Sequence, residues 1–141
     1  MAKANTARFS EFLIEMGDDA SPQAFSAPCG ALSRGFKRTA AMAETNVPDC
    51  DDPDAASWLE RDVTSKSATC DFSGVVDKDD FQDWDDFWEL EESRDIKITL
   101  GSIIWQGQFK LSDLEVTGEK GNRITFTATI QSDGPVVRTS P

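Results

Sequence analysis

The chain has 141 residues, room for one domain with a useful core, and 38% of it is hydrophobic, which excludes disorder throughout. Fourteen basic against 26 acidic side chains leave −12, which argues against a surface built to grip phosphate. That charge suits a wall along which DNA slides, a DNA mimic, or plain solubility.

Residues 1–8 read as a flexible arm, residues 9–138 as a single domain and residues 139–141 as a short tail. Lys3 and Arg8 are followed by Glu11, which interrupts any signal-peptide core. The longest apolar runs, Phe12-Leu13-Ile14 and Ile103-Ile104-Trp105, fall far short of the ~20 residues that cross a bilayer. No membrane anchor is expected, and the chain is expected to be made and kept in the cytosol.

Residues 9–16 read as a strand, with Phe12, Ile14 and Met16 alternating with Leu13 and Glu15, closed by a Gly17-Asp18-Asp19 turn. A second short strand is expected within residues 31–38, anchored by Leu32 and Phe36. Residues 40–62 support neither helical nor strand period, and residues 46–54 alone hold two prolines and four aspartates. A loop this long in a small domain is usually functional or ordered by a partner. Trp58 and Leu59 are apolar groups that a merely solvated loop does not need. Together with Asn46, Pro48 and Pro53 they are the candidates for contact with another subunit.

Within that loop, Asp49 to Glu60 imitates a calcium-binding loop, with acids at its first, third and twelfth positions. Pro53 and Asp54 stand where a further ligand and the turn glycine are needed, so no calcium site is assigned. Cys29, Cys50 and Cys70 are widely spaced and odd in number, and they read as reduced thiols. With no histidine, a Ser or Cys nucleophile lacks its commonest base. No phosphate-binding glycine loop is present either. The reading is of a non-enzymatic protein without cofactor or metal.

Residues 64–72 return to period two, with Ala68, Cys70 and Phe72 on one face. Residues 77–93 read as the one helix, on which Phe81, Trp84 and Trp88 form an apolar stripe at i, i+3 and i+7. Asp77, Asp79 and Asp80 favour its start and Arg94 its end. Residues 96–100 form a strand, and residues 103–131 a closing hairpin around Gly118-Glu119-Lys120-Gly121-Asn122. Trp105, Phe109, Ile124, Phe126 and Ile130 claim one face of that hairpin for the core. Gln106, Gln108, Lys110, Glu115, Arg123, Thr125, Thr127, Thr129 and Gln131 fall on the other. The alternation shifts phase between Leu111 and Leu114, which predicts a β-bulge near Ser112-Asp113.

Two stretches, Gly107 to Gly118 and Asn122 to Val136, resemble the closing hairpin of phage major tail tube proteins. In that family a Gly-x-Phe strand leads to a Leu-Glu-x-x-Gly turn, and a Phe-x-x-x-apolar-x-Ser-x-Gly strand ends the domain. Phe12-Leu13-Ile14-Glu15-Met16-Gly17-Asp18 and Pro22-Gln23-Ala24-Phe25 are similar to the family's opening strand and turn. The long loop ending in Trp58, then Ser73-Gly74, then the helix, follow the family's order. Cys70-Asp71-Phe72 departs from it, since small residues are more usual there.

The resemblance implies a mainly β fold with one α-helix, a small β-sandwich or partial barrel of the phage tail-tube type. It implies hexameric rings that stack into the tail tube of a long-tailed (siphophage-type) phage, the conduit for DNA ejection. The 40–62 loop would then lie between rings, and the polar face of the closing hairpin would line the channel. The expected partners are the chain itself, the tape-measure protein, the tail terminator and the distal tail proteins, with non-specific passage of DNA. An acidic DNA-mimic inhibitor and a related tail-terminator or head-completion ring protein are the alternatives.

Overall fold

Alternating apolar residues bury one face of a strand, and the chain repeats that pattern often enough to build a sheet but not a second layer. The computed structural model describes residues 3–17, 25–26, 30–79 and 81–139. Asp18 and Asp19 of the expected turn, Pro22-Gln23-Ala24, Cys29, Asp80 and the last two residues lie outside the described residues. The strands are β1 (Phe12–Gly17), β2 (Phe25–Ser26), β3 (Ala31–Val47), β4 (Trp58–Val75), β5 (Arg94–Leu100), β6 (Ile103–Thr117) and β7 (Thr125–Thr139). They form one antiparallel sheet of seven strands in the order β2-β1-β5-β6-β7-β4-β3. Among the described residues the one α-helix, α1 (Phe81–Glu89), follows β4, and a 3-10 turn, Phe9–Glu11, precedes β1.

The sheet is strongly curled. Laid flat, β3 and β1 would stand five strand spacings apart, ~24 Å. Yet Arg34 on β3 donates from Nη2 to the carbonyl oxygen of Phe9, just before β1, at 3.0 Å. Phe36 on β3 likewise meets Trp105 on β6 at 5.2 Å between ring centroids. The sheet wraps its apolar face inward as a partial barrel without closing.

That inner face carries Ile14, Ile96, Ile98, Phe109, Leu111, Phe126, Ala128 and Ile130, with Ala68, Cys70 and Phe72 from β4. The period-two reading of residues 64–72 holds. α1 covers the face where β4 and β7 meet. Trp84 lies edge-on to Phe72 at 5.1 Å and tilted against Phe126 at 5.9 Å, and Phe81 meets Phe126 at 6.3 Å. The bulge lies where its phase shift put it: the β6–β7 ladder slips between Leu111 and Asp113, and Ser112 Oγ donates to the Thr129 carbonyl oxygen at 3.0 Å.

Several expectations are corrected. The helix is shorter than residues 77–93, and Trp88 is half exposed while Phe87 is buried. Adjacent aromatics both satisfy a helical stripe to within one residue, and the sheet accepts Phe87 over β6. Ile124 precedes β7 and is exposed, while its carbonyl oxygen accepts from the Val76 N–H at 2.9 Å. Leu32 is exposed as well, at a slip of the β3–β4 ladder.

The largest difference is in residues 40–62. They are not a loop: β3 and β4 stay paired out to Val47 opposite Trp58, and only residues 48–57 turn. The pairing left no trace in the sequence because almost every residue of this arm is exposed on both faces. With no buried side there is no alternation to read.

Removal of the Trp84 side chain, fully buried between two aromatic neighbours, should cost about 3–5 kcal/mol. Trp88→Ala should cost under about 1 kcal/mol, as rim positions usually do. Urea unfolding of the two variants, followed by far-UV circular dichroism, checks the contrast.

Candidate functional site

The molecule offers surfaces rather than a cleft. Among the described residues no group of three or more His, Cys, Asp or Glu side chains could hold a metal ion, and no helix is long and apolar enough to cross a membrane.

The first surface is the hairpin arm. Directly opposed residues share a face of an antiparallel ladder. Val47 faces Trp58, Thr45 faces Glu60 and Ala43 faces Asp62 on one side. Asn46 faces Leu59, Glu44 faces Arg61 and Met42 faces Val63 on the other. Trp58 is 85% exposed, and Met42, Val47, Leu59 and Val63 are exposed too. Trp58 and Leu59 therefore look out from opposite faces. Between the apolar groups of the second face, Arg61 Nε and Glu44 Oε1 lie 3.2 Å apart. Both ends of that pair are exposed, so it fixes little beyond local register.

The arm ends in an acidic tip. Pro48, Asp49, Cys50, Asp51, Asp52, Pro53 and Asp54 are all exposed. The Asp51 backbone N–H donates to Asp49 Oδ1 at 2.9 Å, and Ala55 N–H to the Asp52 carbonyl oxygen at 3.1 Å, so the tip is a hydrogen-bonded turn.

The second surface is the polar face of the sheet. Thr125, Thr127 and Gln131 are exposed and Thr129 partly so, on the side away from the core. Across the β6–β7 ladder Lys110 faces Gln131 and Glu115 faces Thr127. Across β4–β7, Thr127, Thr129 and Gln131 face Ser73, Asp71 and Thr69. These residues form one patch, with a shallow depression of about 400 Å³ lined by Ser33, Gly35, Asp71, Ser73, Thr127 and Thr129. Thr129 Oγ1 donates to Asp71 Oδ1 at 3.1 Å and Gln131 Nε2 to Ser112 Oγ at 3.4 Å.

Three of the sequence-derived face residues stand apart from that patch. Gln106 and Gln108 lie farther along β6, where the ladder slips again between Gly107 and Phe109. Opposite Gln108, β7 loops out through Asp133, Gly134 and Pro135, with Gly134 at φ +110°. Arg123 lies before β7 begins. Asp133 accepts a hydrogen bond from Ser93 Oγ and lies 3.6 Å from Lys110 Nζ, and these two partners, Ser93 first, hold its carboxyl below the ordinary value. Lys110 is thereby tethered to the rim of the patch.

Sequence reasoning missed a third surface. Where the residues before β1 cross β3, a groove of about 560 Å³ is lined by Arg8, Phe9, Arg34, Phe36, Arg38 and Trp105. Only the spacing of Arg34, Phe36 and Arg38, on one face of a strand, hinted at it.

The chain is thus a partly rolled antiparallel sheet with one small helix, a polar outer face and a projecting two-stranded arm. The family model for phage tail tube proteins matches residues 6–138, and the chain belongs to that family. A search of curated proteins gives no match. Among solved structures, the chain is similar to a subunit in the tail of an empty gene transfer agent (GTA) particle refined with C6 symmetry. The two share 16% identity with a TM-score of 0.76, over 96% of this chain and 100% of that one. The SPP1 tail tube aligns at 8% identity and TM-score 0.68, over 96% of this chain and 80% of that one. A chain of the PVC sheath-tube complex, an extracellular contractile injection system, aligns at 13% identity and TM-score 0.64, over 97% and 93%.

The arm tip and the core differ in thiol chemistry. Burial, helped by Asp71, pushes the Cys70 thiol up to about 12, whereas Cys50 is exposed. Iodoacetamide at pH 8 should label Cys50 within minutes and spare Cys70 until the chain is unfolded, since the thiolate is the nucleophile. Peptide mass spectrometry reads both sites.

Proposed function

We propose that six copies of this chain close into a ring, that rings stack into a tail tube, and that the polar face of β6 and β7 lines its DNA channel. The observation that carries the reading is the arm. A free monomer gains nothing from a paired hairpin that shows Trp58, Met42, Val47, Leu59 and Val63 to water. With apolar groups on both faces, the arm fits between two neighbours of an adjacent ring. The sixfold symmetry of the GTA tail supports the ring number, and its virion setting supports a place in the phage tail. Assembly in the host cytoplasm, and contact with tape-measure, terminator and distal tail proteins at the ends, follow from the same reading.

The free edge of β3 supports ring closure. It runs 17 residues along the border of the sheet, and unpaired edges invite strand addition. A neighbour's strand would satisfy it. The channel assignment rests on the chemistry of the polar face. Its nine sequence-derived residues carry two basic groups and one acid, Lys110, Arg123 and Glu115, in a chain of −12. The rest are Thr and Gln, which hydrogen-bond water and leave phosphates ungripped. A duplex meets little to release counterions against, so it slides.

Trp58→Ala should leave the monomer folded, with an unchanged melting temperature, and abolish tube growth in electron micrographs. Truncating an interface Trp commonly costs ~2 kcal/mol or more, and each ring would lose that contact in every subunit. Normal tubes would remove Trp58 from the interface.

Lysine at Thr125, Thr127 and Thr129 together should preserve tubes but slow DNA release from assembled particles. The effect should fade as salt rises, because phosphate binding weakens steeply with ionic strength. Ejection followed by dye fluorescence at several salt concentrations tests it. A salt-independent rate equal to that of the parent would place these threonines off the channel.

A further inference from the structure

In a chain of −12, the groove before β1 gathers three arginines, Arg8, Arg34 and Arg38, beside Phe9, Phe36 and Trp105. Arg34 is used internally: its guanidinium stacks 3.9 Å over the Phe9 ring while Nη2 donates to the Phe9 carbonyl oxygen. Arg38 lies 5.3 Å over Trp105 and 5.9 Å over Phe36. Among the described residues neither Arg8, Arg34 nor Arg38 has an ion-pair partner; the two ion pairs found there belong to Arg61 and Lys110.

A second observation is independent of charge. Two buried donors beside this groove, Arg34 Nε and Trp105 Nε1, have no acceptor among the described residues. Trp105 itself is more than nine-tenths buried. The groove thus asks for an anionic, acceptor-rich segment with apolar parts that can lie on aromatic faces.

We propose that the acidic tip of the β3–β4 arm, Pro48 to Asp54, docks into this arginine–aromatic groove of a second copy of the chain. The proposal rests on the tube-subunit reading and names the acceptor that the reading leaves open. The tip has the required chemistry: Asp49, Asp51, Asp52 and Asp54 supply carboxylates, and Pro48 and Pro53 supply rigid apolar rings. All are exposed, and no ion pair uses the aspartates among the described residues. Docking within one chain is excluded by length. Arg38 and Val47 lie on the same continuous strand, nine residues apart, which is ~30 Å at ~3.3 Å per residue. A strand cannot double back on itself, so the tip must reach another copy. Arginine suits this role, because its planar group stacks on an aromatic ring while its N–H edges meet a carboxylate.

Reciprocal charge reversal in the full chain tests the contact. One variant carries Arg8→Glu and Arg38→Glu, both exposed groove positions; the other carries Asp51→Lys and Asp52→Lys at the tip. Circular dichroism and melting temperature should match the parent in both. Each variant alone pairs like charges at every joint, so the concentration needed for tube growth should rise about tenfold or more. Mixed in equal amounts, they should assemble again, because each groove then meets an opposite tip. Tubes from either variant alone at the parent's concentration would overturn the proposal, and so would a mixture that fails to recover. Loss of duplex oligonucleotide binding by the groove variant, with tube growth unchanged, would assign the groove to nucleic acid and also overturn it. If the unaltered chain forms no tubes, the tube-subunit reading itself falls, a result distinct from all of these.

Discussion

One constraint shapes the molecule: all seven strands join one sheet, whose apolar face must be buried without a second sheet to cover it. The fold answers by rolling the sheet and by laying nine helical residues over the apolar face where β4 and β7 pair. Trp84 is the contact on which that answer depends. Wedged between Phe72 of β4 and Phe126 of β7, it seals the region that curvature alone leaves bare. Phe36 on Trp105 serves at the β3 border, drawing β3 toward β6.

With the inner face closed, everything else about the sheet is free to serve assembly. The outer face needs no apolar residues and carries Thr, Gln and a thin mixture of charges. The border strand β3 needs no partner beyond β4 for the monomer to stand, and so it can run on past the core. The same strand therefore takes part in the monomer's packing through Phe36 and leaves it altogether from residue 40 onward. On the proposed reading of the arm, stability and assembly are divided along one strand rather than between domains.

What could be read in advance follows the same division. Wherever a residue pair has one buried and one wet face, the sequence carries the signature: Ala68, Cys70 and Phe72, the β6–β7 hairpin, even the slip at Ser112. Most of the polar-face patch was legible for that reason. The arm was not, because both its faces meet water and no period survives. Trp88 and Phe87 were confused because neighbouring aromatics fit one helical stripe almost equally well. The groove was invisible for another reason. Phe9, Arg34 to Arg38 and Trp105 are distant in the chain and meet only because the sheet curls, and curvature leaves no local pattern.

The continuity of β3 has a metrical consequence. Groove and tip are the two ends of a single extended strand, so their separation is set by a residue count and by little else. In a stack joined tip to groove, that count is a ruler: it sets how far each layer stands above the last. Adding two residues to each side of the arm would lengthen the axial repeat by ~7 Å and keep every side chain on its face. Adding one would lengthen it by half as much but turn the tip over, presenting the wrong side of the arm to its neighbours. The pitch of such a tube can change only in steps of a pleat.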